Sequence, residues 1–122
     1  MIKQKVKNAK EYIAKMRDAL ASNSECGTSH YNLAVALLGI KEYDEAENEL
    51  QAAIDCSPNF AEAFVQLGGL CLQRGDLDGC LAHNKHATKV RAGFSESEGN
   101  IGFVHFQMGS VDEAIKCLQK AI

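Results

Sequence analysis

The sequence predicts an all-α fold, an α-solenoid in which antiparallel helical hairpins stack one on the next. The first observation is a period of about 34 residues, which superposes residues 27–60, 61–94 and 95–122. The second is that each of these segments holds two amphipathic helical patterns separated by a turn. The third is the composition, with 46% hydrophobic and 24% charged residues, one proline and no tryptophan, which is typical of a helical globular domain. We expect a single domain.

The internal repeat rests on similar residues at matching positions. The aligned sets are Leu33, Leu67 and Ile101, then Ala34, Gly68 and Gly102, then Ala46, Cys80 and Ala114, then Ala53, Ala87 and Ala121. Small residues at such positions let two antiparallel helices approach to about 8–10 Å. We therefore expect Gly68 to face Cys80, and Gly102 to face Ala114, across their hairpins.

Residues 1–26 are predicted to form one helix, from about residue 3 to residue 22, as an N-terminal cap or half repeat. One period places Met16 under Leu50, Ala19 under Ala53 and Leu20 under Ile54, whereas Tyr12 falls under Ala46. The match is therefore partial, and the alternative is a helix that packs elsewhere.

Residues 27–60, 61–94 and 95–122 are each predicted to be one repeat, with a first helix, a turn and a second helix; the third repeat is shortened at its C-terminus. First helices are expected near 28–39, 60–73 and 95–107, and second helices near 43–56, 77–91 and 111–122. The turns fall at Gly39–Lys41, Arg74–Asp76 and Met108–Ser110, where glycine interrupts the periodicity. Capping boxes are expected for Asn59 with Glu62, Ser95 with Glu98, and Ser110 with Glu113.

Charge and cysteine usage narrow the classes of partner. The net charge of −3 does not favour nucleic acid, and no apolar run approaches the roughly 20 residues that cross a bilayer. No signal peptide core follows the basic N-terminal segment. We expect a cytoplasmic protein that binds neither nucleic acid nor membrane. The five scattered cysteines are expected to be reduced packing residues.

The sequence contains no convincing catalytic or metal site, and we predict neither an enzyme nor a cofactor. No phosphate-binding glycine loop, GxSxG or HExxH motif occurs. The densest candidate is the stretch Cys80-Leu-Ala-His83-Asn-Lys-His86, but a zinc site needs four convergent ligands, and this stretch supplies two. We expect Cys80 to pack inward, with both histidines on the outer side.

Four stretches carry a recognisable signature: Pro58-Asn-Phe-Ala-Glu-Ala-Phe-Val-Gln-Leu-Gly68, Gly75-Asp-Leu-Asp78 with Ala87, Asp44-Glu-Ala46, and Asp112-Glu-Ala-Ile115. They resemble the tetratricopeptide repeat, whose period is about 34 residues of helix–turn–helix. The resemblance implies a right-handed superhelical stack whose first helices line a concave groove. It also implies a non-enzymatic interaction module that binds a peptide or helical segment of a partner protein in that groove.

The resemblance indicates which side chains face the groove. The expected partner-binding residues are Tyr31, Asn32, Val35, Leu38, Glu62, Gln66, Leu72, Gln73, Glu96, Asn100, Phe103 and Phe106. Asn32, Gln66 and Asn100 lie one period apart, and a ladder of amides can donate to and accept from an extended peptide backbone. The alternative is that they are inherited consensus residues. Family members that hold acidic chaperone tails use cations that are missing here, so we expect a neutral or basic, partly apolar segment.

Two other functions stay open. One is an assembly or scaffold unit that self-associates through an uncapped C-terminal edge, because the sequence stops within the last second helix. The other is a regulatory region of a larger protein.

The seam between repeats, meaning the surface where residues 61–94 pack on residues 95–122, is predicted to be polar. Asn84 stands where Leu50 and Leu118 align, Thr88 replaces an isoleucine, and Glu98 replaces Phe64. A buried polar group without a partner costs about 1–3 kcal/mol, so these groups must be hydrogen-bonded, hydrated or exposed. We expect this seam to be looser than the preceding one.

Overall fold

The described residues form six α-helices, which follow one another along the chain. The computed structural model describes residues 2–22 and 27–121, and side chains over 7–21 and 27–110. The helices are α1 (Ile2–Ser22), α2 (Gly27–Gly39), α3 (Tyr43–Cys56), α4 (Ala61–Gln73), α5 (Leu77–Val90) and α6 (Ser95–Ala121). Each helix packs against its neighbour in the chain, and the described ranges contain no strand. The predicted all-α solenoid is confirmed.

One tight turn follows from local chemistry. The α4–α5 turn contains Gly75 with φ of 80°, a left-handed conformation that glycine adopts without a steric penalty. Asp76 then caps α5, because its carboxylate accepts a hydrogen bond of 2.9 Å from the Gly79 backbone N–H. The expected cap at Asn59 is wrong: α4 begins after Phe60, and no side chain bonds its first turn.

The core is a series of small clusters, each shared by neighbouring helices. The central cluster joins α2, α3 and α4 through Ala34, Leu50, Ala53, Ala63, Leu67 and Leu70. A second joins α1, α2 and α3, and a third lies between α4 and α5. Alanines at the closest approaches let the helices come near enough for the leucines to interdigitate. Truncating a fully buried leucine such as Leu50 would cost about 2–5 kcal/mol.

The packing face of α1 is shifted by one residue from the predicted alignment. Ile13 and Leu20 are buried against Leu33 and Leu37 of α2, whereas Ala19, expected at the place of the buried Ala53, is exposed. The prediction of a helix is confirmed, but its predicted register is wrong. The bulky Ile13 and Leu20 fit because they bridge to α2 without the close contact that alanine requires.

The predicted turn at Met108–Ser110 is absent. Helix α6 runs without interruption from Ser95 to Ala121, 27 residues, so separate helices at 95–107 and 111–122 are a wrong prediction. Because α6 is continuous, Gly102 and Ala114 lie about 18 Å apart along one helix, so the expected contact of Gly102 with Ala114 across a hairpin is not formed. The capping box of Ser110 involves the Glu113 side chain, which lies outside the described residues. The division into repeats stays a prediction.

Candidate functional site

Seven of the twelve predicted groove residues are exposed. They are Asn32, Val35, Leu72, Gln73, Glu96, Phe103 and Phe106. The large apolar members have exposed fractions of 42% for Val35, 37% for Leu72, 48% for Phe103 and 71% for Phe106. These four side chains sit on α2, α4 and the first half of α6, which are the helices predicted to line the groove.

Two of the predicted groove residues belong mainly to the core. Tyr31 and Leu38 are half-buried and pack against the central cluster. The Tyr31 ring also stacks on Phe60, with centroids 5.0 Å apart and planes inclined by 29°. Such a stacked pair contributes about 0.5–1.5 kcal/mol beyond the area it buries. Tyr31 therefore packs between repeats, and its ring partner Phe60 lies on the loop before α4.

Glu62 is an ion-pair residue. It accepts a hydrogen bond from Arg91, whose guanidinium also lies 4.8 Å from the centroid of the Phe94 ring. Partial burial raises the pKa of the Glu62 carboxyl, but the hydrogen bond and charge of Arg91 outweigh it, so the pKa lies below its usual value. The carboxylate is already balanced by a cation, which removes one of the two acidic groups expected to attract a basic partner.

The predicted amide ladder is only partly available. Asn32 is exposed and Gln66 half-buried, and among the described side chains neither has a hydrogen-bond partner. Asn100 instead donates through Nδ2 to Asn84 Oδ1 over 3.1 Å. Asn100 is half-buried and retains its own carbonyl oxygen for a ligand.

Asn84, which the sequence singled out as a polar residue in an apolar position, is hydrogen-bonded. It is fully buried, and its Nδ2 donates to the Cys80 carbonyl oxygen over 2.8 Å. A β-carbon on Gly68 would collide with this amide. Glycine at position 68 therefore mainly provides the space that the Asn84 amide occupies. Of the expected contact between Gly68 and Cys80, only the approach to the Cys80 carbonyl oxygen is found. A polar residue opposite a glycine was the signal available in the sequence.

The seam between α5 and α6 is polar and fully hydrogen-bonded. The hydroxyls of Thr88 and Ser97 lie 2.8 Å apart, and Ser97 donates to the Phe94 carbonyl oxygen over 2.9 Å. No buried side-chain nitrogen or oxygen among the described residues lacks a partner. Glu98 is exposed. The polar residues are therefore accommodated by bonding and exposure, and nothing in their geometry supports the expected looseness.

Ion pairs between helices were not foreseen. His30 Nδ1 lies 2.7 Å from Glu49 Oε2 in a half-buried contact between α2 and α3. Arg74, in the α4–α5 turn, donates to Glu47 over 2.5 Å and to Asp44 over 3.3 Å. Partners 19 to 30 residues apart leave no local pattern in the sequence, so only the fold reveals them.

The Cys80–His86 stretch lies on α5, with Cys80 in the core and His86 at the surface. Cys80 is buried, and burial raises the pKa of its thiol, which keeps it protonated at neutral pH. His86 is exposed on one side and stacks on the Phe64 ring with centroids 4.1 Å apart. Burial lowers the pKa of His83, and the neighbouring His86 lowers it further. The negative charges of Asp76 and Glu47 raise this pKa, but they do not outweigh the first two effects. Within the described residues, no three His, Cys, Asp or Glu side chains converge as metal ligands do.

An open depression of about 450 Å³ lies beside the first turns of α2 and α4. Thr28, the Ser57–Phe60 loop, Glu62 and Arg91 line it. Its polar wall is the Glu62–Arg91 pair, and its apolar wall is Phe60. It therefore extends the candidate groove at the N-terminal ends of the first helices.

Comparison with known protein families matches two parts of the chain. Models described as tetratricopeptide repeat match residues 13–59 and 99–122, together more than half of the chain. The chain belongs to the tetratricopeptide repeat family. The fold of this tetratricopeptide repeat protein is one used for protein–protein interaction.

Three similar proteins illustrate the range of the family. The BBSome complex member BBS4 of Bos taurus is 26% identical over 88 residues, which are 72% of this chain and 17% of that protein. The crystal structure of MamA protein has a TM-score of 0.76 at 25% identity, covering 93% of this chain and 62% of that one. This chain thus spans less than two thirds of either protein.

The third similar protein is the first tetratricopeptide repeat domain of Spaghetti (RPAP3), solved with the HSP90 peptide SRMEEVD. Its TM-score is 0.77 at 13% identity, and the match covers 86% of this chain and 83% of that one. At this identity the likeness establishes the fold alone. None of the helices within residues 2–22 and 27–121 combines the length and apolar character needed to cross a bilayer.

Proposed function

We propose that this tetratricopeptide repeat protein is a non-enzymatic interaction module that holds a peptide, or a helical segment of a partner, across α2, α4 and the first half of α6. The observation that carries the proposal is the spacing of the exposed apolar side chains. Val35 and Phe103 lie two periods apart, and Leu72 and Phe106 one period apart. In a solenoid, residues one period apart fall into rows along the stack, and exposed apolar patches mark partner surfaces.

The chemistry of this surface favours a neutral, partly apolar segment. The positions corresponding to the cationic clamp of chaperone-binding members are Tyr31, Val35, Gln66, Glu96 and Asn100. None of these five is a cation, so a terminal carboxylate bound there would lose water without gaining a charged partner. Because Arg91 balances Glu62, Glu96 is the remaining acidic group of the predicted set, and the preference for a basic segment weakens.

A peptide as the class of partner has support from structural neighbours. One neighbour was solved with an HSP90 peptide, and the second tetratricopeptide repeat domain of human RPAP3 was solved with the HSP70 peptide SGPTIEEVD. Both peptides end in an acidic sequence, which is the feature this surface is not built to hold. The peptide-binding mode is proposed here and the acidic specificity is not.

The test compares SRMEEVD with SRMQQVN carrying an amidated C-terminus, together with the tightest peptides selected from a random display library. We expect the selected peptides to be neutral and apolar, and the neutralised heptapeptide to bind at least as well as the acidic one. Replacing Asn32 by Ala and Phe103 by Ser should weaken the selected peptides about tenfold or more, because two central contacts are removed. Isothermal titration calorimetry supplies the dissociation constants.

The matched control is Tyr12→Ser, since Tyr12 is 51% exposed, much like Phe103, but lies on α1. It should leave peptide binding unchanged. Selected peptides that bind the Asn32 and Phe103 variant as tightly as the unaltered protein would refute the groove. A role within a larger protein, a cytoplasmic location and the absence of catalytic activity remain predictions.

A further inference from the structure

Helix α6 contains the residues of a turn that it does not form. It is as long as α4 and α5 joined end to end. Gly109 stands one period after Gly75, whose φ of 80° makes the α4–α5 turn, and Ser110 stands one period after the capping Asp76. Residues 95–121 therefore have the sequence of a helical hairpin and the structure of a single uninterrupted helix.

Among the described residues, the uninterrupted helix leaves one face of residues 95–107 uncovered. In the α4–α5 hairpin, Gly68 is buried and its open side is filled by Asn84. Its counterpart Gly102 is exposed, and among the described side chains nothing lies within 4 Å of where its β-carbon would be. The opposite side is packed on α5, where Ser97 and Val104 are fully buried. The first half of α6 is thus covered on one side only.

The sequence of residues 111–121 is complementary to that uncovered face. In the α4–α5 hairpin Phe64 stacks on His86, and the residues one period later are Glu98 and Lys120. Both partners have changed together, from an aromatic pair to a pair of opposite charge. A glutamate in the place of Phe64 is favourable at position 98 when Lys120 lies next to it, because the two side chains can form an ion pair.

A second contact of the α4–α5 hairpin has changed in the same way. Cys71 lies directly beside Gly79, so that a β-carbon on that glycine would be 2.9 Å from the sulfur. One period later the corresponding residues are His105 and Glu113, again a pair that can attract. Two independent paired replacements indicate that residues 95–107 and 111–121 are matched to each other.

We propose that α6 pairs antiparallel with the α6 of a second copy of this chain, crossing near Met108–Ser110, so that residues 111–121 of each copy cover the open face of the other. A helix rises about 1.5 Å per residue, so residue 115 of a straight α6 lies about 20 Å from Gly102 of the same copy. The matched segment of the same copy cannot reach the face, whereas that of a second copy can.

The pairing reproduces the geometry of a hairpin around a two-fold axis. In the α4–α5 hairpin Gly68 lies against the backbone of Cys80 and the side chain of Asn84. In the dimer Gly102 of one copy would lie against Ala114 and Leu118 of the other. Exchange of an identical element between copies is a low-cost route to a symmetric dimer, because the interface is already encoded. It differs from stacking through a terminal edge, since the contact runs along the whole of α6.

Sedimentation equilibrium from about 1 to 300 μM tests the proposal. We expect a reversible monomer–dimer equilibrium in the unaltered protein. Glu98→Lys alone and Lys120→Glu alone each place like charges at both symmetry-related contacts, and each should weaken the dimer about tenfold. Glu98 is exposed, so its substitution leaves the fold intact. Glu96→Lys changes the net charge equally without facing a matched residue, and should leave the dimer constant unchanged.

Mixing the two weakened variants distinguishes a second copy from closure within one chain. A heterodimer of the Glu98→Lys and Lys120→Glu proteins has opposite charges at both contacts, so the mixture should dimerise as well as the unaltered protein. Gly102→Arg should abolish the dimer by holding the helices apart, whereas Gly69→Arg, at another glycine with open surroundings, should not. A protein that stays monomeric at 300 μM overturns the proposal. So does a dimer that ignores these charges, or a mixture that remains monomeric.

Discussion

At the scale of single residues, Asn84 shows how one polar substitution reshapes its surroundings. Its amide occupies a position where the repeat otherwise has leucine, in a fully buried site. It is tolerated because Gly68 leaves space for the amide, and because Asn100 and the Cys80 carbonyl oxygen complete its hydrogen bonds. The substitution therefore links the core of one hairpin to the surface that we assign to partner binding.

A double-mutant cycle on Asn84 and Asn100 tests this link. Asn84→Ala removes the hydrogen bonds of the Asn84 amide to Cys80 and Asn100 and leaves a void, so we expect a loss of about 1–3 kcal/mol in the free energy of unfolding. Asn100→Ala should cost less, because its side chain is half-buried and water can replace Asn84. The coupling energy should be about 1 kcal/mol, measured by urea denaturation. Asn32→Ala is the control, with a cost below about 0.5 kcal/mol and no coupling to Asn84. A coupling of zero for Asn84 with Asn100 would contradict the bond.

The sequence was informative about such residues only up to a point. It singled out Asn84, Thr88 and Glu98 as misplaced polar residues, because the repeat supplies a reference for each position. It could not supply their partners, since hydrogen bonds between neighbouring hairpins depend on helix rotation by a few tens of degrees. The exposure of Phe103 and Phe106 agrees with the groove positions that the family resemblance implies, whereas their role in partner binding stays a prediction.

At the scale of elements, α1 shows the limit of aligning by residue similarity. Matching Ala19 with Ala53 assumed that α1 would make the same close approach as a second helix. The structure exposes Ala19 and instead buries Ile13 and Leu20, one residue out of register. Large side chains at the contact keep the helices further apart, and α1 then needs no alanine there. The rotation of α1 against α2 is therefore set by burial of Ile13 and Leu20, and it does not follow the repeat pattern.

Substitutions at the neighbouring positions Ile13 and Tyr12 distinguish the two registers. Ile13 is 4% exposed and Tyr12 is 51% exposed. We expect Ile13→Ala to lower the free energy of unfolding by about 2–4 kcal/mol, through lost burial and the cavity left behind. Tyr12→Ala should cost less than about 0.5 kcal/mol. Urea denaturation followed by circular dichroism measures both. A larger loss for Tyr12 than for Ile13 would restore the register predicted from the repeat.

Helix α6 shows why a turn is harder to predict than a helix. Met108-Gly109-Ser110 has the same glycine position as Arg74-Gly75-Asp76, yet only the latter turns. In the α4–α5 turn, Asp76 accepts a hydrogen bond from Gly79, and Arg74 bonds to two carboxylates of α3. The cap is local, whereas the Arg74 contacts come from a neighbouring helix. A glycine in the middle of a helix costs only about 1 kcal/mol relative to alanine, so such contacts decide which state forms.

At the scale of the whole molecule, stability should follow the number of covered faces of each helix. In a solenoid each unit contacts only its neighbours, so stability is roughly a sum of local terms. Helix α4 packs against both α3 and α5, and the residues it buries contribute to the central cluster and to the cluster beneath α5. The 95–107 part of α6 packs against α5 and leaves Gly102, Phe103 and Phe106 exposed. The free energy of local opening should therefore be highest for the central helices.

Amide hydrogen exchange at about 1 μM protein tests this gradient. We expect Ala61–Gln73 to be protected about tenfold or more above residues 95–107, because local opening of α6 mainly breaks contacts with α5. The low concentration keeps the proposed α6 pairing from contributing. At about 300 μM the difference should shrink, and in the Gly102→Arg protein it should persist at both concentrations. Equal protection of both segments at 1 μM would mean that the face around Gly102 is already covered within one chain, and the open form of α6 would then be wrong.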